Sequence, residues 1–92
     1  MWIKNNDKER IKSYLKSDIE SNITNITDLS NHIHGLISAI DRATAGTPSG
    51  KGRDMIEECQ KVLSELSTAL QDLYACRNCV EQLDTREWVD DE

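Results

Sequence analysis

The chain has no phenylalanine, one proline and four glycines, and aromatic residues make up only 4% of it. A core built on large aromatic side chains is therefore excluded. The glycines and the proline are not spread as repeated turn signals, which excludes a many-turned all-β fold. No apolar run approaches the roughly 20 residues needed to span a bilayer as a helix. Met1-Trp2-Ile3-Lys4 leads straight into charged sequence, so a cleaved secretory leader is not expected. The expectation is a cytoplasmic chain, or one that leaves by a leaderless route. An excess of basic residues is also missing. The net charge is −6, and nucleic-acid affinity rests mainly on Lys and Arg neutralising phosphates.

What is present is a symmetry about one short loop. Ala45-Gly46-Thr47-Pro48-Ser49-Gly50-Lys51-Gly52 holds the only proline and three of the four glycines. Long stretches with helical apolar spacing lie on either side. The expected organisation is a single domain over 1–92: a helix over 6–44, a turn over 45–52, a helix over 53–85 and an acidic tail over 86–92. Asn6 with Glu9 three residues later reads as a capping box. Thr47 or Ser49 caps the second helix in the same reading, with Asp54, Glu57 and Glu58 near its positive end.

The first stripe reads Ile11, Leu15, Ile19, Ile23, Ile26, Leu29, Ile33, Leu36, Ile40, in steps of three and four. Its middle is rich in Asn, Thr and Ser, poor helix formers, so packing must hold it. Gly35 weakens the helix interior unless it permits a close approach. The second stripe reads Met55, Cys59, Val62, Leu66, Ala69, Leu73, Cys76, Val80, Leu83, an unbroken heptad seam. A further row, Ile56, Leu63 and Leu70, repeats beside it. One partner helix needs only the first row. The added row is expected to meet a second, intermolecular partner, since a lone hairpin of this size buries little surface; the alternative reading is that it simply broadens the internal core. The fold class is all-α: an antiparallel two-helix hairpin that completes a four-helix or larger assembly with a partner.

Charge is uneven. Residues 1–45 hold six acids and six bases, so the whole acidic excess lies after residue 45. Lys8, Arg10, Lys12 and Lys16 are interleaved with acids and read as a solvated helix face.

The residues with chemical potential do not assemble into a catalytic or metal centre. Cys76-Arg-Asn-Cys79 lies deep in a helix, without the strand-to-helix turn that lowers a redox thiol's pKa. A structural zinc needs four ligands, and Cys59 is more than four turns from Cys76. Cys59 and Cys76 are expected in the core. His32 and His34 stand two apart and point in different directions. The Gly46-to-Gly52 loop is too short for a phosphate loop, lacks Ser or Thr after Lys51, and follows a helix. Asn22-Ile-Thr24 and Asn25-Ile-Thr27 match glycosylation sequons but fall inside the first helix. No cofactor, metal or catalytic residue is expected. The tail, Thr85-Arg86-Glu87-Trp88-Val89-Asp90-Asp91-Glu92, reads either as an acidic end with one aromatic tucked against the hairpin, or as an aromatic and an acid one helical turn apart, presented for recognition.

Two antiparallel helices, a Gly-containing turn and a C-terminal aromatic-x-x-x-acid over the whole chain resemble the WxG/ESAT-like substrates of type VII secretion. The chain is still more similar to their relatives, the small helical partners of LXG toxins in Gram-positive bacteria. Pro48-Ser49-Gly50 stands where the Trp-x-Gly turn would be, which favours the toxin-partner group. The resemblance implies a four-helix assembly, either a dimer or a complex with the helical N-terminal domain of an effector. It also implies an export signal at Trp88 and Glu92, read by the secretion machinery. The alternatives are a cytosolic helical adaptor or assembly subunit and, from another class, a cysteine-based metal or redox module.

Overall fold

A computed structural model describes residues 1–46 and 50–90 of the chain. Two long helices pack against each other as an antiparallel hairpin: α1 over Asn6–Thr44 and α2 over Lys51–Glu81. Short strands β1, Trp2–Lys4, and β2, Arg86–Trp88, pair antiparallel where the chain's two ends meet. The molecule is a rod of 81 × 15 × 11 Å with a radius of gyration of 21.9 Å. A compact chain of this length would have about 12 Å. No described helix is long and apolar enough to cross a membrane.

The start of α1 matches the expected boundary, but its cap is Asn5 and not Asn6. The Asn5 side chain accepts from the Lys8 backbone N–H at 3.0 Å, satisfying one of the first-turn donors. Glu9 does not close a capping box. Its carboxylate accepts from the Thr85 hydroxyl across the hairpin. At the far end Gly46 takes φ 77°, the left-handed conformation in which glycine commonly follows a helix. The proposed caps Thr47 and Ser49 lie outside the described residues. The mid-helix hydroxyls of Thr24, Thr27 and Ser30 donate to carbonyls four residues back, so these poor helix formers are accommodated by bonding within the helix.

The seam between the helices is a heptad on both sides. On α1 it runs through Ile19, Ile23, Ile26, Ser30, Ile33, Ile37, Ile40 and Thr44, all buried or half-buried. On α2 it runs through Gly52, Ile56, Cys59, Leu63, Leu66, Leu70, Leu73, Arg77 and Val80. This corrects the expected stripes in two places. On α1, Ser30 and Ile37 face the seam, while Leu29 and Leu36 are exposed. On α2, Ile56, Leu63 and Leu70 line the seam, while Met55, Val62, Cys76 and Leu83 stand outside it. Cys59, Leu66, Leu73 and Val80 stay on the seam, and only the alternate members change places.

Close approach is needed at the turn end. A Cβ on Gly52 would stand 2.6 Å from Thr44 Oγ1 and 2.7 Å from its Cγ2. Gly52 thus lets α2 begin against the end of α1. Gly35 has no such role, since nothing lies within 4 Å of where its Cβ would be.

Towards the strands the seam loses its apolar character: Lys12 and Lys16 occupy the positions that isoleucines hold further on. Other interactions close this end. Lys12 Nζ donates to the Glu81 and Leu83 carbonyls at 2.9 and 3.0 Å. The Glu81 carbonyl belongs to the last turn of α2, where carbonyls lack helical partners, and Leu83 lies just beyond it; a cation suits this negative end of the helix. The last turn of α2 carries no basic residue of its own. Lys16 pairs with Glu81 at 3.3 Å.

Candidate functional site: two flanks of one hairpin

In an antiparallel helix pair, each side of the seam is flanked by one row from each helix. One flank carries Leu15, Asn22, Leu29 and Leu36 from α1 and Met55, Val62, Ala69, Cys76 and Leu83 from α2. An open groove lined by Asn22, Ile26, Ala69, Asp72, Leu73 and Cys76 shows that both rows lie on the same side. A second hollow on this flank, beside the strands, is lined by Lys8, Ile11, Lys12, Leu83, Asp84 and Thr85. Leu36 is 47% exposed, Met55 53% and Leu83 48%. The other flank carries Glu20, Thr27, His34 and Asp41 from α1, and Arg53, Gln60, Ser67, Tyr74 and Glu81 from α2. Tyr74 is its one large apolar side chain, and Arg77 lies over that ring at 5.0 Å. We call these the Val62 face and the Gln60 face.

The apolar residues of the Val62 face recur every turn or two over most of the rod, where isolated exposed apolar residues would need no account. The chain exposes 7087 Å². A compact monomer of 10.5 kDa would expose about 5,400 Å² by the surface-to-mass scaling. The difference is comparable to what a chain loses in a large helical interface.

Of the residues expected to meet a partner, Ile56, Leu63 and Leu70 are half-buried within the hairpin. Their exposed neighbours Met55 and Val62 are the residues that apolar spacing alone assigns to the internal seam. The signal that separates them is Gly52. It meets Thr44 and fixes the inner row at Gly52, Ile56, Cys59 and Leu63, one step every half-heptad.

The tail is not the helical turn that an aromatic-acid pair would need. The helix ends at Glu81. The Gln82 N–H is shared among the last carbonyls, and the chain turns away at Asp84. The Asp84 carboxylate accepts from the Arg86 backbone N–H at 2.9 Å, a local turn that competes with further helix. Asp84 also holds the Arg86 guanidinium, and these bonds lower its pKa from 3.8 to about 2. Trp88 then lies on β2, directly opposite Trp2. Their rings meet edge to face at 5.5 Å and 76°. The Arg86 guanidinium covers the Trp2 ring at 4.5 Å, which relieves its position opposite Lys4. Trp88 Nε1 donates to Asp90 at 3.0 Å, and Asn5 donates to Glu87 at 3.0 Å. The Met1 amino group and the Val89 N–H each donate across the strands, to the Val89 and Met1 carbonyls. Glu92 lies outside the described residues, so its spacing from Trp88 is not described. Trp88 itself is 57% exposed. The signal for this clasp was the pairing of Trp2-Ile3 with Trp88-Val89, β-favouring residues that a hairpin brings to one end.

The cysteines divide. Cys59 is half-buried in the seam, as expected; Cys76 is exposed on the Val62 face, not in the core, and Cys79 is exposed. Among the described residues no group of three or more His, Cys, Asp or Glu side chains is placed to hold a metal ion. His32 and His34 are both exposed, on different sides of α1.

Comparison with protein-family models, with curated proteins and with solved structures finds no match to this chain.

Proposed function

We propose that the chain is a helix-docking subunit, not an enzyme, and that a second helical protein covers its Val62 face to complete a bundle of four or more helices. The observation that carries this reading is the series of exposed apolar side chains that recurs along one flank of a rod whose other flank is polar but for Tyr74. The grooves on that flank are open and shallow. They suit the side chains of a facing helix better than a small substrate, which pockets enclose. The resemblance to the small partners of LXG toxins supplies the particular form: the covering protein is the helical N-terminal domain of a type VII effector, and the complex is exported as a unit.

In this form Trp88 is the export signal, displayed from a strand beside Trp2. The strand position of Trp88 favours, as a second reading, a helical adaptor without an export role.

Light scattering on the purified chain, with and without an LXG-type N-terminal domain, tests the docking role. A stoichiometric complex that forms a helical bundle is the expected result, and two non-interacting species would refute it. Secretion of that effector from cells carrying Trp88→Ala or Trp88→Tyr tests the signal. Loss with alanine and retention with tyrosine is expected, with effector binding unchanged in both. Normal secretion with alanine would leave only the adaptor reading.

A further inference from the structure

The rim of the Val62 face carries charge that narrows the partner. Immediately outside Met55, Val62 and Ala69 on α2 stands the row Glu58, Glu65 and Asp72, one acid per heptad. Glu58 has Lys61 beside it at 3.0 Å, whereas among the described residues Glu65 and Asp72 have no ion-pair partner. Along the opposite rim α1 has no Lys or Arg between Lys16 and Arg42. The central part of this face is therefore apolar with an acidic border.

That border bears on what covers the face. A second copy laid on it by a twofold axis would set α2 over either the partner's α2 or the partner's α1. In the first arrangement Glu65 and Asp72 meet the same acids. In the second they meet a stretch of α1 without a cation. Both arrangements bring two chains of charge −6 together without compensation. We infer that the Val62 face is built for a different chain, an amphipathic helix or helix pair whose apolar stripe is flanked by Lys or Arg where it passes Glu58, Glu65 and Asp72. This rests on the helix-docking reading and adds the charge that the partner carries along this face.

Two synthetic amphipathic helices about four heptads long, long enough to be helical in water, serve as probes. They share a Leu and Ile stripe and differ only in flanking Lys or flanking Glu. Binding to the full chain is followed by fluorescence anisotropy at low and high salt. The Lys-flanked helix is expected to bind about ten-fold more tightly at low salt, the sum of several modest exposed pairs, with the preference fading as salt rises. Glu58→Lys, Glu65→Lys and Asp72→Lys combined should reverse the preference, and Met55→Glu with Val62→Glu should remove binding of both probes.

Equal binding of the two probes, lost in the Met55→Glu, Val62→Glu variant, would overturn the charge inference and leave the docking face standing. Binding of neither probe would overturn both. Sedimentation equilibrium of the chain alone should show a monomer. A stable dimer that Val62→Glu dissociates would show a second copy to be the occupant and overturn the inference.

Discussion

The two flanks of the hairpin are cut from the same pair of helices, yet one is apolar and the other is not. Leu15, Leu29 and Leu36 with Met55, Val62 and Leu83 stand on one side of the seam, and Glu20, His34 and Asp41 with Gln60, Ser67 and Glu81 on the other. Both flanks border the same inner rows. Folding of the hairpin alone gives no reason for the difference. Closing a two-helix seam needs one apolar row pair per helix. The Val62 face holds more apolar surface than that, and the Gln60 face holds what a solvated flank holds. The surplus is the part of the chain that looks outward, and on the proposed reading it is where a partner docks.

The largest effect expected from breaking this contrast is on stability, because it separates inner from outer rows. Leu63→Ala, on the seam, should cost about 2 kcal/mol, the lower range for truncating a leucine that is only partly buried. Val62→Ala, one residue away on the exposed face, should cost less than about 0.5 kcal/mol. Urea denaturation of the isolated chain compares them. Equal losses would mean that the two rows are not distinguished as described. Gly52→Val should cost about 1–3 kcal/mol, since its side chain must displace Thr44 at the turn end, and thermal melting reads the loss.

Loosening the clasp should matter less. Trp88→Ala removes the edge-to-face contact with Trp2, worth about 1 kcal/mol. Its effect should be local. Hydrogen exchange should accelerate at residues 1–12 and 80–90 and stay unchanged at the turn end. The acid response of the clasp follows from Asp84. Its pKa is lowered in the folded chain, so its contribution is full above its ordinary 3.8 and fades as pH falls towards about 2. Trp fluorescence should report loosening of the ribbon in that interval, and Asp84→Asn should remove this component. The smallest change is a gain. Gly35→Ala, on an open helix surface, should stabilise by about 0.5–1 kcal/mol without altering association.

Much of the fold was legible in the sequence, and the parts that were not have physical reasons. The loop with the only proline and most of the glycines marked the turn, and α1 runs over the expected 6–44. The misassigned rows trace to a property of heptads. In α2, steps of four and three taken from Met55 or from Ile56 share Cys59, Leu66, Leu73 and Val80 and differ in the alternate members. Apolarity alone does not choose between Val62 and Leu63. The choice is made by residues without apolar signal: Gly52 against Thr44, Ser30 on α1 and half-buried Arg77. The end of α2 at Glu81, short of the expected residue 85, is not legible for a related reason. Asp84-Thr85 is a local stop whose strength comes from Arg86 and from Glu9, which lies 76 residues away in the chain. The pairing of Trp2 with Trp88 is non-local in the same sense. What the sequence did carry for the site is its surplus of apolar rows. Which row faces outward required the hairpin itself.

The central claim is that the Val62 face, and not the Gln60 face, carries the partner. The most direct measurement replaces one residue pair on each face with the same charge and compares association. Met55→Glu with Val62→Glu is set beside Gln60→Glu with Ser67→Glu, each co-expressed with an LXG-type effector N-terminal domain and recovered through a tag on that domain. Circular dichroism should show both variants to be as helical as the parent. The account predicts that the Gln60-face variant is recovered in full and the Val62-face variant is lost. Equal recovery of the two, or loss of the Gln60-face variant alone, would contradict it.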